Sequence, residues 1–252
     1  MIESVKILKH KDSPLSYILE ELDRLKEGSE FIFKPGTNVI VGPNGSGKTT
    51  LLRLIQYYNL VKDSEMMTGK ESFDDSGMRG FKPGIEVKAD YENVVFRLAH
   101  PDEYSKGGST SLGLATFKNF GTMFMSQNSS TGEGILSCIG NLFDLMFNPN
   151  TNLKFPEPSN KQFKDYVEKN RIKTDHRIFT VILDEPDRNL DLENIESIKN
   201  ILEEKRYDIQ LLTVIHNPIL LCALRKNPSI NFVELESGYL DKIEKTLKSL
   251  IM

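Results

Sequence analysis

The 252-residue sequence predicts an α/β domain with a mostly parallel central sheet, and three stretches carry that prediction. TNVIVGPNGSGKTTLLRLI, residues 37–55, reads as a buried strand, a glycine-rich turn and the start of a helix. IFTVIL at 178–183 and IQLLTVI at 209–215 are near-continuous apolar runs, as expected of strands covered on both faces. Each of these two delivers polar residues at its carboxyl end, Asp184-Glu185 and His216, where ligands bind in open α/β sheets.

In chain order, residues 2–8 are expected as a first strand, with Ile2, Val5, Ile7 and Leu8 as its apolar positions. Ser13-Pro14 opens a helix to about Lys26, with Leu15, Ile18, Leu19, Leu22 and Leu25 at helical spacing and Gly28 ending it. Phe31 to Phe33 form a second strand, Pro35-Gly36 a turn, and Thr37 to Val41 the strand entering the glycine turn. Phe31 or Phe33 could stack on an adenine ring; alternation into the core is the other fate of such a pair. Residues 61–83 are polar and read as a long loop, and IEVKA and NVVFRLA within 84–99 are expected as a hairpin. A loop at 100–111 and an apolar stretch at 112–127 lead to the polar turn SSTGEG, 129–134, and the helix ILSCIGNLFDLMF. A proline-rich loop, 148–160, and a short polar helix, 161–170, follow. Beyond Asp184, Asp191 is a good N-cap for a helix at 192–205, and Asn217-Pro218 starts another through Leu224. Ile230 to Leu235 give a strand and Leu240 to Ile251 a final amphipathic helix.

Composition limits the function classes. Lys and Arg number 32 against 36 Asp and Glu, a net charge of −4, so the whole chain is not a polycation suited to nucleic acid, although a local basic patch would escape this count. Cys138 and Cys222 are too few for a disulfide framework and suit a reducing compartment. No run of 18 apolar residues exists and the first residues lack a hydrophobic signal core. The expectation is a cytoplasmic protein with no membrane span.

Gly42 to Thr49 fit G-x-x-x-x-G-K-[ST] between a strand and a helix, which is a phosphate-binding loop. Glycines such as Gly42, Gly45 and Gly47 let backbone N–H groups wrap round the phosphates of a nucleotide triphosphate. Lys48 reaches the β- and γ-phosphates, the Thr49 hydroxyl suits Mg²⁺, and the helix start points its positive dipole end at the anion. On the next buried strand, Asp184 is placed to support Mg²⁺ and Glu185 to orient or deprotonate the attacking water; either carboxylate could instead cap the following turn. His216 ends the strand after this acidic pair and is expected to contact the γ-phosphate, where a lone histidine is otherwise structural. SSTGEG alone reads as an N-cap or a second anion-binding helix start.

Together these stretches resemble the ATP-binding-cassette (ABC) ATPase family. GPNGSGKTT at 42–50 is similar to its Walker A motif, VILDEP at 181–186 to its Walker B, RNLD at 188–191 to its D-loop and VIHNP at 214–218 to its histidine switch. SSTGEG resembles the signature, with Thr131 replacing its first glycine. The resemblance implies a P-loop NTPase with an N-terminal antiparallel β subdomain and a helical signature subdomain. It implies one domain over 1–252, with the helical or inserted region at about 100–175. It adds Pro43, Asn44, Ser46 and Thr50 to the nucleotide-binding loop. It also implies head-to-tail homodimers sandwiching ATP and Mg²⁺, in which Ser130, Thr131, Gly132, Glu133 and Asp191 face the partner's nucleotide.

Departures from the transporter pattern narrow the resemblance. Transporter cassettes carry a glutamine loop well before the signature; between Thr50 and Thr122 the only glutamine is Gln56, and Gln127 lies almost against SSTGEG. About 50 residues separate Gly132 from Asp184, longer than in those cassettes. No heptad run interrupts the Walker motifs as in SMC proteins. The chain therefore looks more like the soluble AAA-type subgroup that includes the ATPases of overcoming-lysogenisation-defect (OLD) nucleases and anti-phage systems. With 36 residues after His216 and no nuclease motif among them, an effector is expected on a separate chain. Two alternatives remain at this stage, a transporter's nucleotide-binding subunit and a slow or non-hydrolysing ATP-sensing scaffold.

Overall fold

A computed structural model describes residues 1–8, 24–56, 58, 84–89, 94–98, 179–188, 190–204 and 209–251. The body of the helix expected from Ser13-Pro14, the loops at 61–83, 100–111 and 148–160, the stretches at 112–127 and 161–170, and SSTGEG with its helix lie outside them.

Strands β1 (Ile2–Ile7), β2 (Glu30–Ile32) and β4 (Ile85–Ala89) form an antiparallel sheet in the order β2-β1-β4. The register between β1 and β4 slips by one residue between Ile2 and Ser4. Such a bulge resets the alternation of faces, which is why Ile2, Val5 and Ile7 are all buried although the first two are three positions apart. Leu8 lies past the strand end and is partly exposed.

The second sheet consists of β3 (Gly36–Val41), β5 (Val94–Leu98), β6 (Phe179–Asp184), β7 (Ile209–Val214) and β8 (Asn231–Glu234). Their order is β5-β6-β7-β3-β8 and every pairing among them is parallel. Alternate residues feed two separate cores. Ile40, Ile182, Leu212 and Val214 pack with Leu51, Leu52, Leu54 and Ile55 of helix α1 (residues 48–56) and with the inner face of the antiparallel sheet. Val39, Val41, Val181, Leu183 and Leu211 pack on the other face. There they meet helices α2 (Leu192–Glu203), α3 (Pro218–Leu224) and α4 (Tyr239–Ile251). Burial on both sides explains why these strands read as near-continuous apolar runs.

Two polar side chains inside these runs tie the sheets together. Gln210 accepts from the Ile2 backbone N–H and the Thr180 hydroxyl, and donates to the carbonyls of Ile2 and Lys34. Asn38 donates to the Lys34 carbonyl and accepts from the Lys34 N–H and Asn231. Both are fully enclosed, and a buried amide is tolerated only with its hydrogen bonds made. The floor of the glycine loop is thereby joined to the first strand of the chain.

Two expectations are corrected and one open alternative is decided. The runs at 84–99 do not form a hairpin: β4 pairs with β1 and β5 with β6, in different sheets. The alternating IEVKA suits a sheet with one solvated face and the more continuous VVFRL suits the parallel sheet. Residues 24–28 form turns, not the end of a helix, although Leu25 is buried. Phe31 and Phe33 are core residues packed with Ile2, Val5 and Val87, so neither is an adenine platform; the alternation of β2 turns Ile32 outward instead.

Candidate functional site

Strand β3 ends at Val41, and the chain turns through Gly42 to Gly47 before α1 begins. Gly45 and Gly47 have φ of 75° and 94°, conformations that side-chain-bearing residues rarely adopt. At Gly42 the constraint is space: a Cβ there would stand 2.8 Å from Ser46 Oγ and 3.2 Å from Leu235 Cβ. Lys48 folds over the loop, its Nζ donating to the carbonyls of Gly42 at 2.8 Å and Pro43 at 2.9 Å. Burial lowers its pKa from the ordinary lysine value, and the nearby Glu185 and Asp184 carboxylates oppose that shift.

The register of the parallel sheet brings the remaining groups alongside. Asp184 is paired with Val214 across β6 and β7, so the turns after both strands leave the same edge next to the glycine loop. Thr49 Oγ1 donates to Asp184 Oδ1 at 3.1 Å. Glu185 has φ of 54°, which among the described non-glycine residues it alone takes; such a conformation costs about 1–3 kcal/mol and recurs at functional sites. Its Oε1 stands 3.2 Å from His216 Nε2 and its Oε2 3.7 Å from Arg188.

These groups face one open cleft of about 840 Å³. Of the predicted residues, Asn44 to Thr50, Glu185 and His216 line it, while Asp184 meets it through Thr49. Asp191 instead caps α2, accepting from the Asn194 N–H at 2.8 Å. Ser130, Thr131, Gly132 and Glu133 lie outside the described residues. Asp187, Arg188 and Asn217 also line the cleft; the sequence placed Arg188 in RNLD and Asn217 at a helix start, and Asp187 had no role assigned from it. The signal available for Asp187 was an acid three positions after Asp184 in a strand-end turn.

The residues fit a nucleotide with its cation. Among the described residues the Ser46 hydroxyl is shielded from solvent and has no hydrogen-bond partner, a buried polar atom for which an anion at the loop would account. Thr49 and Asp184 offer hard oxygen donors of the kind Mg²⁺ takes. Among the described residues no cluster of three or more His, Cys, Asp or Glu has metal-ligand geometry.

A family model described as "AAA domain" matches residues 19–251. The chain belongs to the AAA domain family. That match takes in every segment lining the cleft, from the glycine loop to the turn after β7, and these segments stand at the carboxyl ends of parallel strands, the edge where open α/β sheets bind ligands. Among curated relatives, the DNA replication and repair protein RecF of Prosthecochloris aestuarii (strain DSM 271 / SK 413) is 40% identical over 58 residues, 22% of this chain. The matched segment spans 16% of that relative's length. Among solved structures, a nucleotide-free ATP-binding cassette from an ABC transporter is 16% identical at a TM-score of 0.40, covering 93% of this chain and 88% of that one. The SMC head domain from Thermotoga maritima is 15% identical at a TM-score of 0.41, covering 92% and 94%. Among the described residues of this AAA domain, no helix is long and apolar enough to cross a membrane.

Proposed function

We propose that this AAA domain binds ATP with Mg²⁺ in the cleft and hydrolyses the γ-phosphate. The observation that carries the reading is convergence. Lys48, the Thr49–Asp184 pair and the Glu185–His216 pair come from three separate parts of the chain and meet at one sheet edge. The glycine loop supplies backbone N–H groups and a helix start for the phosphates, and Lys48 supplies a positive charge beside them. Bound Mg²⁺, held by Thr49 and Asp184, would neutralise charge on the phosphate oxygens.

Glu185 accepts a proton from water as the water oxygen bonds to the γ-phosphorus; the bond to the bridging oxygen breaks and ADP leaves with that electron pair. His216, whose Nε2 stands against Glu185 Oε1, holds the carboxylate, and that N–H turns to the γ-phosphate when the nucleotide is bound. Much of the rate then comes from positioning rather than covalent chemistry.

In this reading two copies associate head to tail over ATP, each cleft being completed by Ser130, Thr131, Gly132 and Glu133 of the other, with Asp191 at the same junction. The cycle of association and release regulates a separate effector chain in the cytoplasm, in anti-phage defence or a DNA-related process. The RecF segment supports the second setting. Light scattering of Glu185→Gln tests the sandwich: the mass doubles on adding Mg-ATP and returns when nucleotide is removed. A mass independent of ATP would sink the dimer mechanism.

A further inference from the structure

The turn after β6 and the turn after β7 share one side chain. Asp187 Oδ2 accepts from the backbone N–H groups of His216 at 2.8 Å and Asn217 at 2.5 Å. The next donors along α3 are met differently: Asn217 Oδ1 accepts from the N–H groups of Ile219 and Leu220, and Pro218 has no N–H to satisfy. Every backbone donor from His216 to Leu220 is therefore paired, two by Asp187 and two by Asn217. A helix entry is normally left with such donors unmet, and here half of the solution comes from a residue 29 positions away.

The consequence falls on the chemistry. Asp187 sits in the same turn as Glu185, a turn closed by the Arg188 N–H donating to the Glu185 carbonyl at 3.1 Å. Its carboxylate clamps the backbone of His216, whose imidazole meets Glu185 at 3.2 Å. The Glu185–His216 distance is thus closed as a ring: Glu185 to Asp187 along one turn, Asp187 to His216 through the backbone bond, and His216 back to Glu185 through its side chain.

We infer that Asp187 is a positioning residue for ATP hydrolysis, locking the turn that carries Glu185 to the turn that carries His216 so that the two move as one unit. The inference rests on the ATPase reading above. A generic turn former does not account for the placement. Asp187 is only 6% exposed, and among the described residues its second oxygen, Oδ1, is shielded with no hydrogen-bond partner. Burial raises its pKa above the ordinary carboxylate range, and the amides of Asn217, His216 and Asp187 itself draw it back. Its Oδ2 is the oxygen that reaches across to the other turn, where it receives two amides at once.

Steady-state Mg-ATP turnover of Asp187→Ala, Asp187→Asn, Asp187→Glu and His216→Ala tests this. Asp187→Ala is expected to lower kcat on the order of 10²-fold, the effect of about 1 Å of misplacement, with KM changed by less than about twofold. Asp187→Asn, which keeps an acceptor oxygen in place, stays within about threefold of wild type, whereas Asp187→Glu, which displaces the carboxylate by one methylene, resembles the alanine variant. Adding Asp187→Ala to His216→Ala lowers kcat by less than about threefold more, because both changes remove the same alignment. The Asn and Glu variants carry the comparison with little risk to folding.

Unchanged kcat in Asp187→Ala, or a loss that adds in full to that of His216→Ala, overturns the positioning role. An Asn variant as impaired as the alanine variant overturns it too, by assigning the effect to charge. A wild-type protein that neither binds nor turns over Mg-ATP overturns the ATPase reading itself, a result seen before any variant is compared.

Discussion

Lys48→Ala is expected to weaken Mg-ATP binding on the order of 10²–10⁴-fold, and with it to remove turnover. The magnitude follows from two charge-assisted hydrogen bonds to phosphate at about 1.5–3 kcal/mol each. Lys48 already holds its ammonium over the glycine loop, 2.8 Å from the Gly42 carbonyl. It does so although burial disfavours the charge, so the site maintains a cation there against a desolvation cost. Its removal also leaves Asp184 and Glu185 facing a polyanion without that counter-charge. Titration calorimetry with Mg-ATP reads the affinity directly, and a thermal melt checks that the variant is folded. An affinity equal to wild type would mean that the loop is not where the phosphates sit.

The second large effect is expected at Glu185. Glu185→Gln should lower kcat by about 10²–10⁴-fold, the range for removing a general base, while leaving the Mg-ATP Kd within about threefold of wild type. Glutamine keeps the shape and retains an oxygen toward His216 Nε2, which stands 3.2 Å from Glu185 Oε1, but it cannot take a proton from water. The left-handed backbone at Glu185, φ 54°, is common to both proteins, so the comparison isolates the carboxylate. Rapid-quench measurement of the chemical step separates this from slow product release. A normal chemical rate in the variant would remove Glu185 from the role of base and leave it a structural partner of His216.

How much of this was legible in the sequence follows from how local each signal is. The glycine loop, the acidic pair and His216 stand beside apolar runs whose burial on both faces leaves little ambiguity about their ends. Helices α2 and α3 were legible because Asp191 and Asn217 cap them with their own side chains. Strand pairing was not legible: periodicity says which face of IEVKA is buried but not that its neighbour is β1 rather than the run just after it. Phe31 and Phe33 could not be told from stacking residues until the antiparallel sheet was seen to fold them onto Ile2 and Val5. Asp187 was missed for the same reason. An aspartate in a turn looks generic, and its meaning lies in two amides of another strand's turn. Gln210 likewise interrupts an apolar run for the sake of a residue 208 positions away.

Hydrolysis of ATP in the cleft carrying Lys48, Thr49, Asp184, Glu185 and His216 is read from phosphate release by the wild-type protein under single-turnover conditions, with and without Mg²⁺. One phosphate per occupied site is expected, dependent on Mg²⁺ and lost in Lys48→Ala. Release indistinguishable from the Lys48→Ala background, with ATP bound and Mg²⁺ present, would contradict it.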